Sequence, residues 1–221
     1  MNSGKEINEE AQLWVAFKKG DQKAYERIYS AYYPILYNYG YKYIRNTHLV
    51  TDLIHDLFLK LWTSRERLSD PASIKNYLFK SFRGHLFNHS KASKNIFVGD
   101  GNQLNDFNIE LNDSPESNFI ADEQMTGLRK KIGQALQKLT DRQREVIYLR
   151  YYEEFSYPEI AEIMGLTLKG TYKLMGRAIE TLRSQESIGN IILFLITQKH
   201  FYKNHLKDHH RLENVDHQKS A

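Results

Sequence analysis

The stretch TDRQREVIYLRYYEEFSYPEIAEIMGLTLKGTYKLMGRAIETLR, from Thr140 to Arg183, admits few folds, because two helix-start signals, a turn glycine and a stripe of cations fall in one register. Thr140 with Gln143 has capping-box spacing, in which each side chain satisfies a backbone N–H left unpaired at a helix start. The run from Val146 to Tyr151 then keeps an apolar face at helical period, so a helix is expected from Thr140. Ser156 with Glu159 repeats the spacing, and Pro158 falls in the first turn, where no intrahelical N–H is lost. A second, short helix is expected to about Met164.

Gly165 stands where the chain must turn, and Thr167 is placed to cap a third helix. Along that helix Leu168, Leu174 or Met175, Ala178 and Leu182 are expected to face inward, leaving Lys169, Tyr172, Lys173, Gly176 and Arg177 outside. Lys169, Lys173 and Arg177 are four apart and form one basic stripe. A lone stripe of this kind is ordinarily a solvated helix face. In register with two caps and a turn glycine it fits a helix-turn-helix, whose second helix reads the major groove.

The 221 residues suffice for one ordinary domain or two small ones, and the net charge of +4 is compatible with nucleic acid without requiring it. With no cysteine, disulfides, thiolate metal sites and cysteine nucleophiles are excluded. The start, MNSGKEINEE, lacks the basic and apolar regions of an export signal, and the longest apolar run, Ile191 to Ile196, is too short to cross a bilayer. A cytoplasmic protein without stable membrane insertion is expected.

Asp21 is placed as an N-cap between a short helix containing Leu13 to Phe17 and a longer one containing Ala24, Ile28 and Tyr29; the abundance of tyrosine makes strand the competing reading. Thr47 or Thr51 opens the next helix, with Leu53, Ile54, Leu57, Phe58, Leu61 and Trp62 on a wide apolar face and Asp52, His55, Asp56 and Lys60 opposite. Asp52 and Asp56 are readable as a solvated acidic face, as a docking ridge for a basic partner, or as a catalytic carboxylate pair, though an exposed face lacks the pocket that would split their pKa values.

After Asp70 and Pro71, the helix ASIKNYLFKSFRGHLFNHSKASK interleaves Tyr77, Leu78, Phe82, Leu86 and Phe87 with Lys75, Lys80, Arg83, Asn88, His89, Lys91 and Lys94 and holds no acidic residue. That mixture suits a phosphate backbone with splayed bases stacked on rings, or else a core with merely solvated cations. His85 and His89 are four apart, but no glutamate follows His85 and no third ligand is evident, so no metal and no cofactor are expected. Residues 95–120 turn to Asn, Asp, Gly and Ser with few large apolar residues, an acidic flexible linker. A helix from about Ala121 to Leu139 leads into the helix-turn-helix. The tail after Arg183 holds the apolar run, readable as an amphipathic helix or a partner-binding segment, and scattered histidines of the kind that are usually solvated.

These segments, TDLIHDLFLKLW, IKNYLFKSFRGHLFNHSKASK, an acidic linker and the helix-turn-helix, resemble in this order a bacterial RNA polymerase sigma factor of the extracytoplasmic-function group, from about Leu13 to Arg183. The resemblance implies an all-α fold of two small helical domains: residues 1–94 for core polymerase and the −10 element, a linker at 95–120, residues 121–184 for the −35 element, and an extension of unassigned role at 185–221. It implies core RNA polymerase, promoter DNA and an anti-sigma factor as partners, and no catalytic activity. Carried onto this chain, it puts polymerase contact at Asp52, Leu53, His55, Asp56, Leu59 and Trp62. It puts −10 recognition and melting at Arg83, Asn88, His89 and Lys91, and −35 reading at Thr167, Lys169, Tyr172, Lys173 and Arg177. The chain departs from the family pattern at Thr51, at Gly170 and Thr171, and at Gly176. Each of the two glycines costs a helix about 1 kcal/mol relative to alanine. The alternatives are a free-standing helix-turn-helix regulator binding operators as a dimer, a metal-dependent hydrolase using His85, His89 and the aspartates, and an interaction protein such as a sigma-factor antagonist.

Overall fold

The computed structural model describes residues 3–96, 107 and 133–183, and every regular element among them is helical. The expected helix before residue 133, the linker apart from Phe107 and from residues 95 and 96, which continue the preceding helix, and the tail lie outside the described residues. The chain packs as two units, Met1–Asn108 with Ala161–Thr167, and Ile109–Ile160 with Leu168–Ala221.

In the first unit α1 (Ser3–Lys18) is followed by a turn at Gly20, whose φ of +88° glycine adopts without steric cost. Asp21 then caps α2 (Gln22–Tyr41) by accepting from the backbone N–H groups of Lys23 and Ala24 at 2.8 and 3.2 Å. Helix α3 (Thr47–Ser64) starts at the earlier of its two expected positions, and its cap is Asn46, which accepts from the Leu49 N–H at 3.1 Å. Asparagine outranks threonine as an N-cap, so Thr47 becomes the first helical residue instead. A single 3-10 turn, Arg65–Arg67, precedes α4 (Ile74–Ile96).

Trp14, Phe17, Ile28, Leu36, Tyr39, Ile54, Phe58, Leu78, Phe79 and Phe82 are buried between these helices. Two features decide how closely the helices approach. Gly40 lies where a Cβ would come within 2.9 Å of Phe82 and 3.0 Å of Val50, so the end of α2 presses directly on α3 and α4. Glu10 of α1 accepts from the Ile74 N–H at 2.9 Å and from the Tyr32 hydroxyl at 3.1 Å, joining three helices through one carboxylate. Burial, reinforced by the Glu10 charge, pushes the Tyr32 phenol well above its ordinary pKa and keeps it a donor.

Phe107, in the stretch expected to be a linker with few large apolar residues, is fully buried in this unit, its ring 4.8 Å from Tyr43 and 6.1 Å from Tyr39. An aromatic ring removes enough apolar surface from water to dock even when its neighbours in sequence are polar.

Further along the chain, α5 (residues 133–137) leads to the Thr140 and Gln143 capping box, which opens α6 (Asp141–Ile147). The helix then widens into a π-helical turn, Tyr148–Tyr152, and the chain reverses at Glu154, a non-glycine residue at φ +62°. The Tyr148 hydroxyl donates to the buried Glu153 carboxylate at 2.8 Å, which satisfies both groups where the turn widens. Ser156 and Glu159 form the second reciprocal cap, and α7 (Tyr157–Met164) follows. Gly165 turns the chain at φ +61° into α8 (Leu168–Arg183).

The inward face of α8 is Thr171, Met175, Ala178 and Leu182, while Leu168, expected inside, is exposed. Spacings of four, three and four keep those four residues in one stripe, and Leu168 precedes it at the open end of the helix.

The two glycines of opposite surroundings give opposite outcomes. Gly40→Ala should lower stability by about 1–3 kcal/mol through overpacking against Phe82 and Val50. Gly176→Ala meets no atom within 4 Å and should raise it by up to about 1 kcal/mol. Urea unfolding of the two variants measures both.

Candidate nucleic-acid interface

Helix α8 presents Lys169, Tyr172, Lys173, Gly176 and Arg177 on one exposed face, opposite its buried stripe. Thr167, just before the helix, is exposed as well. The face carries three cations and one aromatic ring, with a single carboxylate, the exposed Glu180, one turn beyond Gly176, so its first three turns are suited to phosphate oxygens and to acceptor atoms on base edges. Tyr172 is 53% exposed, yet its ring lies 4.4 Å from that of Tyr157 at the start of α7. The Arg150 guanidinium lies 5.2 Å from the Tyr157 ring and donates to the Phe155 carbonyl at 3.0 Å. Tyr157 and Arg150 did not emerge from the sequence, where they fall on different elements and share no spacing.

On the first unit, Asp52, His55, Asp56 and Leu59 make an exposed ridge along α3, with Leu59 60% exposed one turn beyond Asp56. Leu53 is buried beneath the ridge. Trp62 packs inward against Phe17 at 6.3 Å and Tyr25 at 5.0 Å, with the Arg65 guanidinium over it at 4.6 Å. The sequence-derived set therefore divides into four exposed residues and two supporting ones.

The ridge is held by a polar seam between α2 and α3. The Tyr29 hydroxyl meets His55 Nε2 at 3.1 Å, the Tyr33 hydroxyl meets Thr51 Oγ1 at 3.2 Å, and the Tyr37 hydroxyl donates to Thr47 Oγ1 at 3.2 Å. The rungs step four residues up one helix as they step four down the other. The tyrosine rings follow one another at 5.3 Å from Tyr29 to Tyr33, 6.3 Å to Tyr37 and 5.9 Å to Tyr41.

On α4, the Arg83 guanidinium lies 4.3 Å over the Phe87 ring, Asn88 is exposed and His89 is half-buried; the Lys91 side chain lies outside the described residues. At about 100° per residue, Asn88 and His89 are turned about 140° and 240° from Arg83, so these residues do not share one helix face. Phe82 and Leu86 are buried and Phe87, Lys75 and Arg83 are half-buried, so among the cations of the interleaved pattern whose side chains are described Lys80 is the exposed one. No group of three or more metal-capable side chains occurs among the described residues, and no helix among them is long and apolar enough to cross a membrane.

Comparison with known proteins gives matches to both units. The Sigma-70 region 2 family matches residues 28–95, and the Sigma-70, region 4 family matches residues 129–182; together they span more than half of the chain. The chain is similar to the ECF RNA polymerase sigma factor SigW of Bacillus subtilis (strain 168), 23% identical over 171 residues that cover 76% of this chain and 91% of that protein. It is also similar to the RNA polymerase sigma factor YlaC of the same organism, 26% identical over 153 residues covering 69% and 86%. Among solved structures, it shares its fold with CnrH in complex with the cytosolic domain of CnrY, at a TM-score of 0.53 and 19% identity, covering 79% of this chain and 95% of that one. It also shares it with the sigma factor RpoE in complex with the anti-sigma factor NepR from Bartonella quintana, at 0.50 and 18%, covering 75% and 98%.

The α3 and α4 surfaces also set a pH dependence. Burial, and then the Lys60 charge, lower the His85 pKa from its ordinary 6.5, against an opposing pull from Asp56. The unfolded chain thus takes up this proton at a higher pH than the folded one, so acid favours unfolding. The stability that neutral His85 contributes is complete above pH 6.5 and is lost as pH falls below that value. NMR titration should place the His85 midpoint below 6.5, and His85→Gln should flatten this limb of the stability curve.

Proposed function

The chain belongs to the sigma-70 family of RNA polymerase sigma factors, in its extracytoplasmic-function group, and from that membership we propose that it binds core RNA polymerase and directs it to promoters with −10 and −35 elements. The observation that carries this reading is the presence of regions 2 and 4 in one chain, in that order. A regulator that only reads an operator has no need of the first.

The division of labour follows the two surfaces. The domain of residues 1–94 docks on the polymerase through Asp52, His55, Asp56 and Leu59, with Leu53 and Trp62 holding the ridge from within. Its helix α4 meets the −10 element through Arg83, Asn88, His89 and Lys91 and helps to separate the strands. An arrangement spread around a helix suits single strands, which wrap where a duplex would meet one face only. The domain of residues 121–184 reads the −35 element with Thr167, Lys169, Tyr172, Lys173 and Arg177 in the major groove. The linker of 95–120 joins the two, and the extension of 185–221 has no assigned role.

The polymerase performs the chemistry, and this chain supplies binding energy and promoter choice in the cytoplasm without catalysis of its own. An anti-sigma factor is a further partner. CnrH and RpoE, which share the fold, were solved in complex with the cytosolic domain of CnrY and the anti-sigma factor NepR.

In vitro transcription on fragmented genomic DNA, with core polymerase alone and with this protein added, tests the reading. New start sites sharing two spaced upstream elements are expected, and the absence of any would refute it. Replacing Lys169, Lys173 and Arg177 together by alanine should abolish these starts while leaving core binding intact. DNA affinity should also become less salt-dependent, because each phosphate that is no longer neutralised takes about 0.9 from the slope of log K against log salt.

A further inference from the structure

We infer that Tyr172 reads the 5-methyl group of one thymine in the upstream element, and that Tyr157 is the positioning residue that holds its ring for that contact. The inference rests on the assignment of α8 as the −35 reading helix and adds the identity of a base feature that it reads.

Tyr172 is 53% exposed, and an aromatic ring so placed ordinarily turns freely on its helix. Here one side is backed by the Tyr157 ring at 4.4 Å and a tilt of 34°. Tyr157 is itself fixed on α7 just after the Ser156 cap, with Arg150 over its ring and Arg150 bonded in turn to the Phe155 carbonyl. The support of Tyr172 therefore comes from a different element than α8, and the ring is presented with much of its rotational freedom already spent.

The space beside it is open. Gly176, one turn further along the same face, leaves a position where even a Cβ would touch nothing within 4 Å. Lys169 and Lys173 flank the ring with cations for phosphates or guanine acceptors, so the polar part of the reading is supplied without Tyr172. The apolar feature that the bases present in the major groove is the thymine methyl group. A half-exposed ring, backed on one side and open on the other, is matched to that group, and its preference is for thymine over cytosine or uracil at one position.

The alternative is that the two rings merely clip α7 to α8. Thymine-to-uracil substitution separates the two accounts, because removing a methyl from DNA cannot affect a clip within the protein. Promoter duplexes from the mapped start sites would be prepared with each thymine of the upstream element replaced in turn by deoxyuridine. Initiation would then be measured with the full chain and core polymerase, and the unfolding midpoint of every variant recorded.

The wild-type chain should lose about fourfold at one position, which is about 0.8 kcal/mol, the transfer value of one methyl. Tyr172→Ala should lose this discrimination, Tyr172→Phe should keep it, Tyr157→Ala should lose most of it, and Tyr157→Phe should restore it. A scan in which the wild-type chain responds to no substitution, or in which Tyr172→Ala discriminates as the wild type does, overturns the assignment of Tyr172. Discrimination retained in Tyr157→Ala overturns the positioning role. Specific initiation with a flat scan removes this inference alone, whereas no specific initiation on unmodified DNA removes the sigma-factor reading and the inference with it.

Discussion

The register between α2 and α3 governs what the first unit can show to a partner, and three hydroxyl-centred rungs set it: Tyr29 with His55, Tyr33 with Thr51, and Tyr37 with Thr47. Each contributes only about 0.5–1.5 kcal/mol net. Their force lies in acting together, because a shift of either helix by one residue breaks all three. Two of the rungs flank Pro34, where α2 lacks a backbone N–H and would otherwise be free to bend. The same register brings Gly40 against Phe82 and Val50, an approach that no larger residue permits. With α2 and α3 locked, Asp52, His55, Asp56 and Leu59 are left facing outward as one ridge.

The second unit achieves a comparable outcome by different means. The exposed face of α8 is set by local devices: a reciprocal cap at each of two helix starts, a left-handed Glu154 closing a π-helical turn, and Gly165 at the entry to α8. Burial of Thr171, Met175, Ala178 and Leu182 then fixes the rotation of α8 about its axis. Once that rotation is set, the cations four residues apart can only point away from the core. A turn without such local devices would leave the face free to roll.

What was legible in the sequence follows the range of the interaction involved. The caps at Asp21, Thr140 and Ser156 act within three residues, and they stood in plain view. So did the exposed stripe of α8, because helical period alone separates it from the core. Phe107 was missed because a single ring in a polar run has no period, and only the aromatic cluster around Tyr43 gives it a place. Leu168 was misplaced because hydrophobicity outweighed position, whereas the helix buries Thr171 and leaves its own end in water. The tyrosines of α2 stood out only as an abundance that made strand the competing reading; that their hydroxyls are paired with α3 depends on which helix lies opposite. Trp62 illustrates the same limit, since its half-buried position against Tyr25 and Arg65 depends on α2 and on the turn after α3.

The account depends most on the α3 ridge being the surface that holds the polymerase, and direct binding of the chain to purified core polymerase, compared with Leu59→Asp, tests it. Leu59 is 60% exposed, so the substitution leaves the core untouched and the unfolding midpoint should stay where it is. The wild-type chain should bind and the variant should bind at least about tenfold more weakly, a difference of about 1.4 kcal/mol. A wild-type chain that fails to associate with core polymerase, or a variant that associates equally well, would contradict the account.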